Sequence, residues 1–181
     1  MRMKTHKLFW AWSFDKEEKW LNEMSAQGWH LCASSFLTYM FEEGDPGAYQ
    51  YRLELLNNLP GHPESKHYIR FLEETGVEMI SSWGRWVYFR RKSDSGSFDL
   101  FSDADSRITH LNRILTLIGV LTALNLIGST NLIIRWPNWG GDTEYVLAVA
   151  FCSLVALLFV YGFIRLARAR HRLIKERILH E

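Results

Sequence analysis

Charge is missing from two long stretches near the C-terminus of this chain. Residues 114–134 and 145–164 contain no Asp, Glu, Lys, Arg or His. A helix that crosses the apolar core of a bilayer needs roughly 20 mostly apolar residues. The two stretches therefore predict a transmembrane hairpin whose turn is the polar and aromatic segment 135–144. The alternative, a pair of buried core helices, is disfavoured by their length and by the arginines that flank them.

Cysteine is scarce, and the residue spacings typical of catalytic and metal sites are missing. The two cysteines, Cys32 and Cys152, fall in a predicted strand and a predicted span, so they do not form the disulfide framework of a secreted domain. The chain has no HExxH motif, no paired CxxC motifs, no glycine-rich phosphate loop and no nucleophile elbow. We therefore expect no catalytic residues, no metal ligands and no cofactor.

An excess of basic residues is also absent. The formal net charge is +1, and residues 1–92 hold as many acidic as basic side chains. Nucleic-acid-binding domains usually carry clustered positive charge, and the basic pattern of RNA-binding sheets is missing as well. No nucleic-acid partner is expected.

The basic residues that are present flank the predicted spans and indicate their orientation. Arg107 and Arg113 precede the first span, whereas the turn has only Arg135. The segment after the second span contains Arg165, Arg168, Arg170, Arg172, Lys175 and Arg177. Because basic residues favour the cytoplasmic side, both termini are predicted to be cytoplasmic in a multi-pass protein of the cell membrane.

The N-terminal region shows strand and helix patterns in the order βαββαβ. A first helix is expected to begin at Asp15 and to end before Gly28. Its acidic residues are interpreted as a cap and a solvated face: Asp15, Glu17, Glu18 and Glu23. The second helix is expected at 64–75, and strands at 7–14, 29–42, 49–56 and 77–91, the last bulged at Gly84. This order predicts an α+β, ferredoxin-like cytosolic domain followed by the two-helix transmembrane hairpin.

A constant offset of 48 residues relates the two halves of this region. Matching residues include Leu21 and Ile69, Gly28 and Gly76, and Phe41 and Phe89. Two equivalent halves indicate a duplicated module. The acidic pair at 42–43 corresponds to the basic pair at 90–91. If these pairs lie at sheet edges, their opposite charges either join protomers or simply block aggregation.

These patterns divide the chain into four predicted segments. They are a ferredoxin-like cytosolic domain at 1–92, an acidic linker and juxtamembrane helix at 93–113, the transmembrane hairpin at 114–164, and a basic cytosolic tail helix at 165–181. The linker is rich in Ser and Asp and is expected to be mobile. The tail is expected to lie on anionic lipid, or else to dock a partner or the acidic linker at 94–105.

Tryptophans and one asparagine are the candidate interaction residues. Alternation along the first predicted strand places Trp10 and Trp12 on one face, and Trp83 and Trp86 belong to the last strand. One face of a ferredoxin-like sheet is not covered by helices, so aromatic residues there would meet a partner, a ligand or the membrane surface. Core packing is the alternative for each of them. Asn125, near the middle of the first span, is predicted to contact another helix.

Three segments resemble one protein family. They are FDKEEKWLNEMSAQGWHL at 14–31, the turn at 41–47 with YQYRLELL after it, and WGRWVYFRRK at 83–92. These segments resemble the DUF2812 family, a group of small bacterial membrane proteins of uncharacterised function. The resemblance implies a cytosolic domain with a membrane anchor, and a genomic place beside PadR-like transcriptional repressors that suggests a regulated envelope or drug-stress response. It implies no catalytic residues.

The combined prediction is a non-enzymatic regulatory or accessory integral membrane protein with a cytosolic sensing or interaction domain. Its expected partners are the lipid bilayer and either a protein partner or a second copy of the chain. Two alternatives stay open. A membrane-tethered enzyme would show a tightly bound small molecule or strongly perturbed pKa values, and a transporter subunit would form stable oligomers with Asn125 lining a wet interior.

Overall fold

The structure, a computed structural model, describes residues 1–96, 98–101, 104–135 and 143–180, and only the backbone at 135 and 178–180. It divides into two compact units, Met1–Ser106 and Arg107–Glu181.

The first unit is an α+β domain with two antiparallel three-stranded sheets. Its elements in chain order are β1 (Arg2–His6), α1 (Phe14–Ala26), β2 (Trp29–Ser34), β3 (Thr38–Glu43), β4 (Tyr49–Leu55), α2 (Pro63–Glu74), β5 (Val77–Trp83) and β6 (Trp86–Lys92). Short 3-10 turns lie at Ala11–Ser13 and Ser93–Ser95. The strand orders are β1-β3-β2 in one sheet and β4-β6-β5 in the other.

The predicted ferredoxin-like βαββαβ topology is not confirmed, because two predicted long strands are hairpins. Residues 29–42 form β2 and β3, and Ser35 and Thr38 close the turn between them through backbone hydrogen bonds of 2.8 and 3.4 Å. Residues 77–91 likewise form β5 and β6. Gly84, predicted as a bulge, lies in the turn with φ +60°, a conformation that glycine adopts readily. Each half is therefore a βαββ unit.

The first strand was predicted in the wrong place. The strand is β1 at Arg2–His6, where Met3 pairs with Phe41 of β3. No residue of the apolar segment at 7–14 lies in a strand. Its Ala11–Ser13 part is a 3-10 turn in which Ser13 N–H donates to the Trp10 carbonyl at 2.7 Å. The polar segment at 2–6 pairs with β3 through its backbone. The aromatic segment at 7–14 packs through its side chains instead: the ring centroids of Phe9 and Trp20, for example, are 5.5 Å apart.

The predicted duplication is confirmed by the backbone. Both sheets place the third strand of their half in the centre. Both have a bulge at equivalent points, between Leu31 and Ala33 in β2 and between Met79 and Ser81 in β5. The two halves are therefore copies of one βαββ module.

The charged pairs at 42–43 and 90–91 lie on central strands, so the condition for either edge role of their opposite charges is not met. Arg90 instead makes local contacts. Its Nε donates to Glu78 Oε2 at 2.8 Å, and its guanidinium lies 4.1 Å from the Tyr49 ring centroid. An arginine over an aromatic face is a stabilising cation–π arrangement. Arg90 therefore stabilises the sheet to which it belongs.

The outer edge of β4 is covered by α1 through two side chains one turn apart. Asn22 Oδ1 accepts from Tyr51 N–H at 2.9 Å, and its Nδ2 donates to the Tyr51 carbonyl at 3.1 Å. Glu18 Oε1 accepts from Leu53 N–H at 2.8 Å. A covered edge cannot pair with another chain. The helix therefore completes the hydrogen bonding of a strand that would otherwise be open.

This position makes Glu18 sensitive to pH. Burial raises the pKa of Glu18 from its ordinary value of 4.5 to about 7, against the opposing effect of the Leu53 hydrogen bond. The folded state therefore binds more protons than the unfolded state between these values, and stability falls as pH rises through this window. Glu18→Gln keeps the acceptor without the charge. We expect the variant to lose this pH dependence and to gain up to about 3 kcal/mol at pH 8.

Urea unfolding followed by tryptophan fluorescence, at a series of pH values, measures this effect. Glu23→Gln is the matched control, because Glu23 is exposed on the same helix. A Glu18→Gln variant with the wild-type pH profile would refute this role of Glu18.

The domain has two hydrophobic clusters. One joins α1 to both sheets through Leu21, Leu31, Tyr39, Phe41, Tyr51, Leu53 and Tyr88. The other lies between α2 and the second sheet and includes Ile69, Leu72, Val87 and Phe89. Phe98, from the segment predicted as a linker, is buried in the second cluster, and its N–H donates to Gln50 Oε1 at 2.9 Å.

Two long helices follow the domain, α3 (Ala104–Arg135) and α4 (Thr143–His180), and α3 belongs to the second unit from Arg107 onward. Within them Ala104–Ile134 and Thr143–Arg177 are long and apolar enough to cross a membrane, and only 11% of the most apolar window of each is buried. Gly119 of α3 faces the Phe163 ring of α4, and the Tyr145 hydroxyl donates to the Leu132 carbonyl. Most of the predicted turn at 135–144 lies outside the described residues.

Candidate functional site

The structure places the four predicted tryptophans in pairs. Trp10 and Trp12 stack with their ring centroids 4.9 Å apart, Trp12 being buried and Trp10 exposed. Trp83 and Trp86 are register partners at the end of the β5–β6 hairpin. Trp86 is partly buried against the core, whereas Trp83 is exposed. Of these four tryptophans, Trp10 and Trp83 are the two with exposed rings, and their role in binding stays a prediction.

One buried carboxylate of the domain accepts hydrogen bonds from both halves of the duplication. Glu17 of α1 is 8% exposed, although the sequence pattern placed it on a solvated face. Its Oε1 accepts hydrogen bonds from the hydroxyls of Tyr39 in β3 and Tyr88 in β6, both at 2.7 Å. We call these three residues the Glu17 centre. Each comes from a different element, and together they join the two halves of the duplication.

Burial dominates the electrostatics of the Glu17 centre. It raises the pKa of Glu17, while the two tyrosine hydrogen bonds oppose the shift. Burial and the nearby carboxylate also raise the pKa of both Tyr39 and Tyr88. Both tyrosines therefore stay protonated at neutral pH and remain hydrogen-bond donors. The centre can hold a negative charge or a proton at a position where water has little access.

Aromatic rings surround the Tyr39 side of the centre. The Trp20 ring meets Tyr39 edge-on at 4.9 Å, and Phe9 meets Tyr39 edge-on at 6.2 Å. The Lys7 ammonium lies 4.5 Å from the Trp20 ring centroid and 5.1 Å from that of Phe9. Aromatic faces attract cations electrostatically. This part of the domain thus already holds one cationic group against its rings.

His30 and Cys32 of the domain have structural contacts. His30 is buried, with its Nε2 2.9 Å from the Asp45 carbonyl oxygen, and Cys32 Sγ lies 3.2 Å from the Met40 carbonyl oxygen. Among the residues that the structure describes, no group of three His, Cys, Asp or Glu side chains is arranged to hold a metal ion.

Asn125 is distinguished from the other polar residues of α3 by an unsatisfied oxygen. Thr116, Thr122 and Ser129 each donate to the carbonyl four residues earlier in the helix. The Oδ1 of Asn125 is buried and has no hydrogen-bond partner within the described part of the chain. An amide group in this situation favours hydrogen bonding to another helix. The role of Asn125 in a contact with another helix stays a prediction.

Replacing Asn125 by Leu should weaken association of the full chain by about 0.6–2 kcal/mol, the usual strength of such interhelical hydrogen bonds. Sedimentation or crosslinking in mild detergent measures the oligomeric state. Asn131→Leu is the matched control, because the Nδ2 of Asn131 donates to the Ile127 carbonyl in its own helix at 2.8 Å. An unchanged oligomeric state for Asn125→Leu would contradict the prediction.

Comparison with known proteins identifies one family. Residues 13–123 match the model of a family described as "Protein of unknown function (DUF2812)". This match confirms the resemblance inferred from the sequence. No curated protein and no solved structure matches the chain.

Proposed function

This chain belongs to the DUF2812 family, whose function is unknown, and we propose that it is a non-enzymatic regulatory or accessory protein of the bacterial inner membrane. The helices Ala104–Ile134 and Thr143–Arg177 are the anchor. Both termini lie in the cytoplasm, in keeping with the basic residues that flank the spans. The duplicated domain is the part that senses a signal or binds a partner.

The Glu17 centre is the observation that carries this proposal. Its carboxylate comes from α1, one hydroxyl comes from β3 in the first half and the other comes from β6 in the second. Any ligand or proton that changes the bonding of Glu17 changes how the two halves are held together. A domain built in this way is suited to convert binding into a change of shape, which a regulatory protein requires.

A membrane-tethered enzyme is the second candidate, favoured by the raised pKa values of Glu17 and Glu18. Perturbed carboxylates are enriched at catalytic sites. Burial inside the domain accounts for the same shifts. Both residues also have structural hydrogen bonds, to Tyr39, Tyr88 and β4, which makes the regulatory interpretation the stronger one.

Membrane topology tests the anchor and the side on which the domain lies. In a Cys32→Ser, Cys152→Ala background, single cysteines are introduced by Glu74→Cys on α2 and by Asn138→Cys between the helices. An impermeant maleimide applied to intact spheroplasts should label the Asn138→Cys variant and not the Glu74→Cys variant. The full chain should also stay with membranes after an alkaline carbonate wash. The reverse labelling, or release by the wash, would overturn the proposal.

A further inference from the structure

Two exposed aromatic side chains meet where the two hairpins turn. Phe36, in the β2–β3 turn, is 56% exposed, and Trp83, at the β5–β6 turn, is 46% exposed. Their ring centroids are 5.0 Å apart. The two turns belong to different halves and different sheets, so the pair is a product of the fold and not of proximity along the chain.

A set of hydrogen bonds holds these hairpins side by side. The Ser34 N–H donates to Ser81 Oγ at 2.9 Å, and the two hydroxyl oxygens are 3.0 Å apart. Ser81 Oγ also lies 3.2 Å from the Ser34 carbonyl oxygen. Because Ser34 ends β2 and Ser81 lies in β5, the two turns have a fixed spacing. The fold therefore holds the exposed rings of Phe36 and Trp83 next to each other.

The apolar surface extends beyond the aromatic pair. Leu37 follows Phe36 and is exposed, and its carbonyl accepts from Lys7 N–H at 3.0 Å. This bond places the next residue, the exposed Leu8, beside the same turn. We call Leu8, Phe36, Leu37 and Trp83 the hairpin-tip surface. Neighbouring exposed apolar side chains of this kind mark interaction sites more often than isolated ones do.

The charges of these segments have one sign. Lys7 and Arg85 lie in the segments that carry the surface, and residues 6–10, 35–38 and 83–86 contain no Asp or Glu. Aromatic and aliphatic side chains with basic residues beside them suit the interface of an anionic bilayer, where rings lie at headgroup depth and basic groups meet lipid phosphates.

We propose that the hairpin-tip surface docks onto the anionic lipid surface of the membrane that holds α3 and α4. This inference rests on the proposed function, because the two apolar helices keep the domain close to lipid. Tethering makes a weak surface contact effective, since the local concentration of lipid is high. The fixed aromatic pair enters the interface. The basic groups available to the headgroups are Lys7, whose ammonium lies over the Phe9 and Trp20 rings, and Arg85, whose Nη1 donates to the Asn57 carbonyl at 2.9 Å. A lipid surface is favoured over a protein partner by this permanent proximity and by the charge of the surface.

Depth-dependent quenching tests the docking in the full chain. The protein is placed in vesicles of equal parts phosphatidylcholine and phosphatidylglycerol, with lipids brominated near the headgroups. A fluorophore is attached to a Phe36→Cys variant in the Cys32→Ser, Cys152→Ala background. Phe71→Cys is the matched control, because Phe71 is an equally exposed phenylalanine, 57% exposed on α2. We expect quenching at position 36 to exceed that at position 71 by about two-fold or more.

Further variants separate the possible outcomes. Adding Lys7→Gln and Arg85→Gln, or using vesicles of phosphatidylcholine alone, should bring quenching at position 36 down to the control. A labelled Trp83→Cys variant repeats the test in the other half. Equal quenching at positions 36 and 71 in carbonate-resistant protein would overturn the docking and leave the anchor in place. Crosslinking of position 36 to a protein in native membranes, without lipid quenching, would assign the surface to that protein instead. Protein that washes off the vesicles would overturn both proposals.

Discussion

Replacing Glu17 by Ala should lower the free energy of unfolding of the N-terminal domain by about 3 kcal/mol or more. The substitution removes the acceptor shared by the Tyr39 and Tyr88 hydroxyls, which are both held at 2.7 Å. Each buried donor without an acceptor costs about 1–3 kcal/mol. The missing side chain also leaves a void between α1 and the two sheets, which adds to the loss.

The matched control is Glu17→Gln, which keeps an oxygen acceptor in the same place. Because burial raises the pKa of Glu17, the loss of its charge removes little that stabilises the fold. We expect a change within about 1 kcal/mol for this variant, and a loss of about 1 kcal/mol for Tyr39→Phe or Tyr88→Phe alone. Urea unfolding of the full chain in mild detergent, followed by tryptophan fluorescence, measures all four. Equal stability of the Ala and Gln variants would show that the Glu17 centre does not hold the halves together.

Phe41→Ala and Phe89→Ala should each destabilise the domain by about 3–5 kcal/mol. The two residues are equivalent in the duplication, and both are completely buried. Phe41 lies in the cluster between α1 and both sheets, and Phe89 lies in the cluster against α2. Similar losses are expected because each ring fills the centre of its own half.

Phe71→Ala is the control for this pair, because an exposed ring on α2 should change stability by no more than about 0.5 kcal/mol. The same unfolding measurement applies. A large loss for one of the two buried phenylalanines and none for the other would show that only one half has a stabilising core.

The duplication and the two apolar helices were readable from the sequence, because both depend on local chemistry. The 48-residue offset pairs residues that adopt the same backbone conformation. Gly28 and Gly76, for example, have φ of +84° and +83°. Such positive φ values favour glycine at a helix C-terminus. Charge-free stretches likewise identify helices of membrane-spanning length without any tertiary information.

The hairpin turns were missed because their sequences carry weak or misleading signals. The β2–β3 turn at residues 35–37 has neither glycine nor proline, and Phe36 and Leu37 continue an apolar pattern through it. Gly84 was visible, but a single glycine in a strand pattern indicates a bulge as readily as a turn. Merging each hairpin into one strand led to the ferredoxin-like prediction in place of two three-stranded sheets.

The Glu17 centre was missed because its hydroxyl donors are distant in sequence, Tyr88 being 71 residues away. A carboxylate in the first turn of a helix usually caps the helix or faces water. One local signal was available. Glu17 lies four residues before the fully buried Leu21, so both are on one face of α1.

The proposed regulatory or accessory role is tested most directly by capture of the full chain from its native membranes. The tagged protein is briefly crosslinked in cells, extracted in mild detergent and purified, and the proteins that come with it are identified and quantified by mass spectrometry. The account predicts a stoichiometric complex, either with a specific partner protein or with a second copy of the chain. Recovery of the chain as a monomer, with neither a partner protein nor a second copy crosslinked to it, would contradict it.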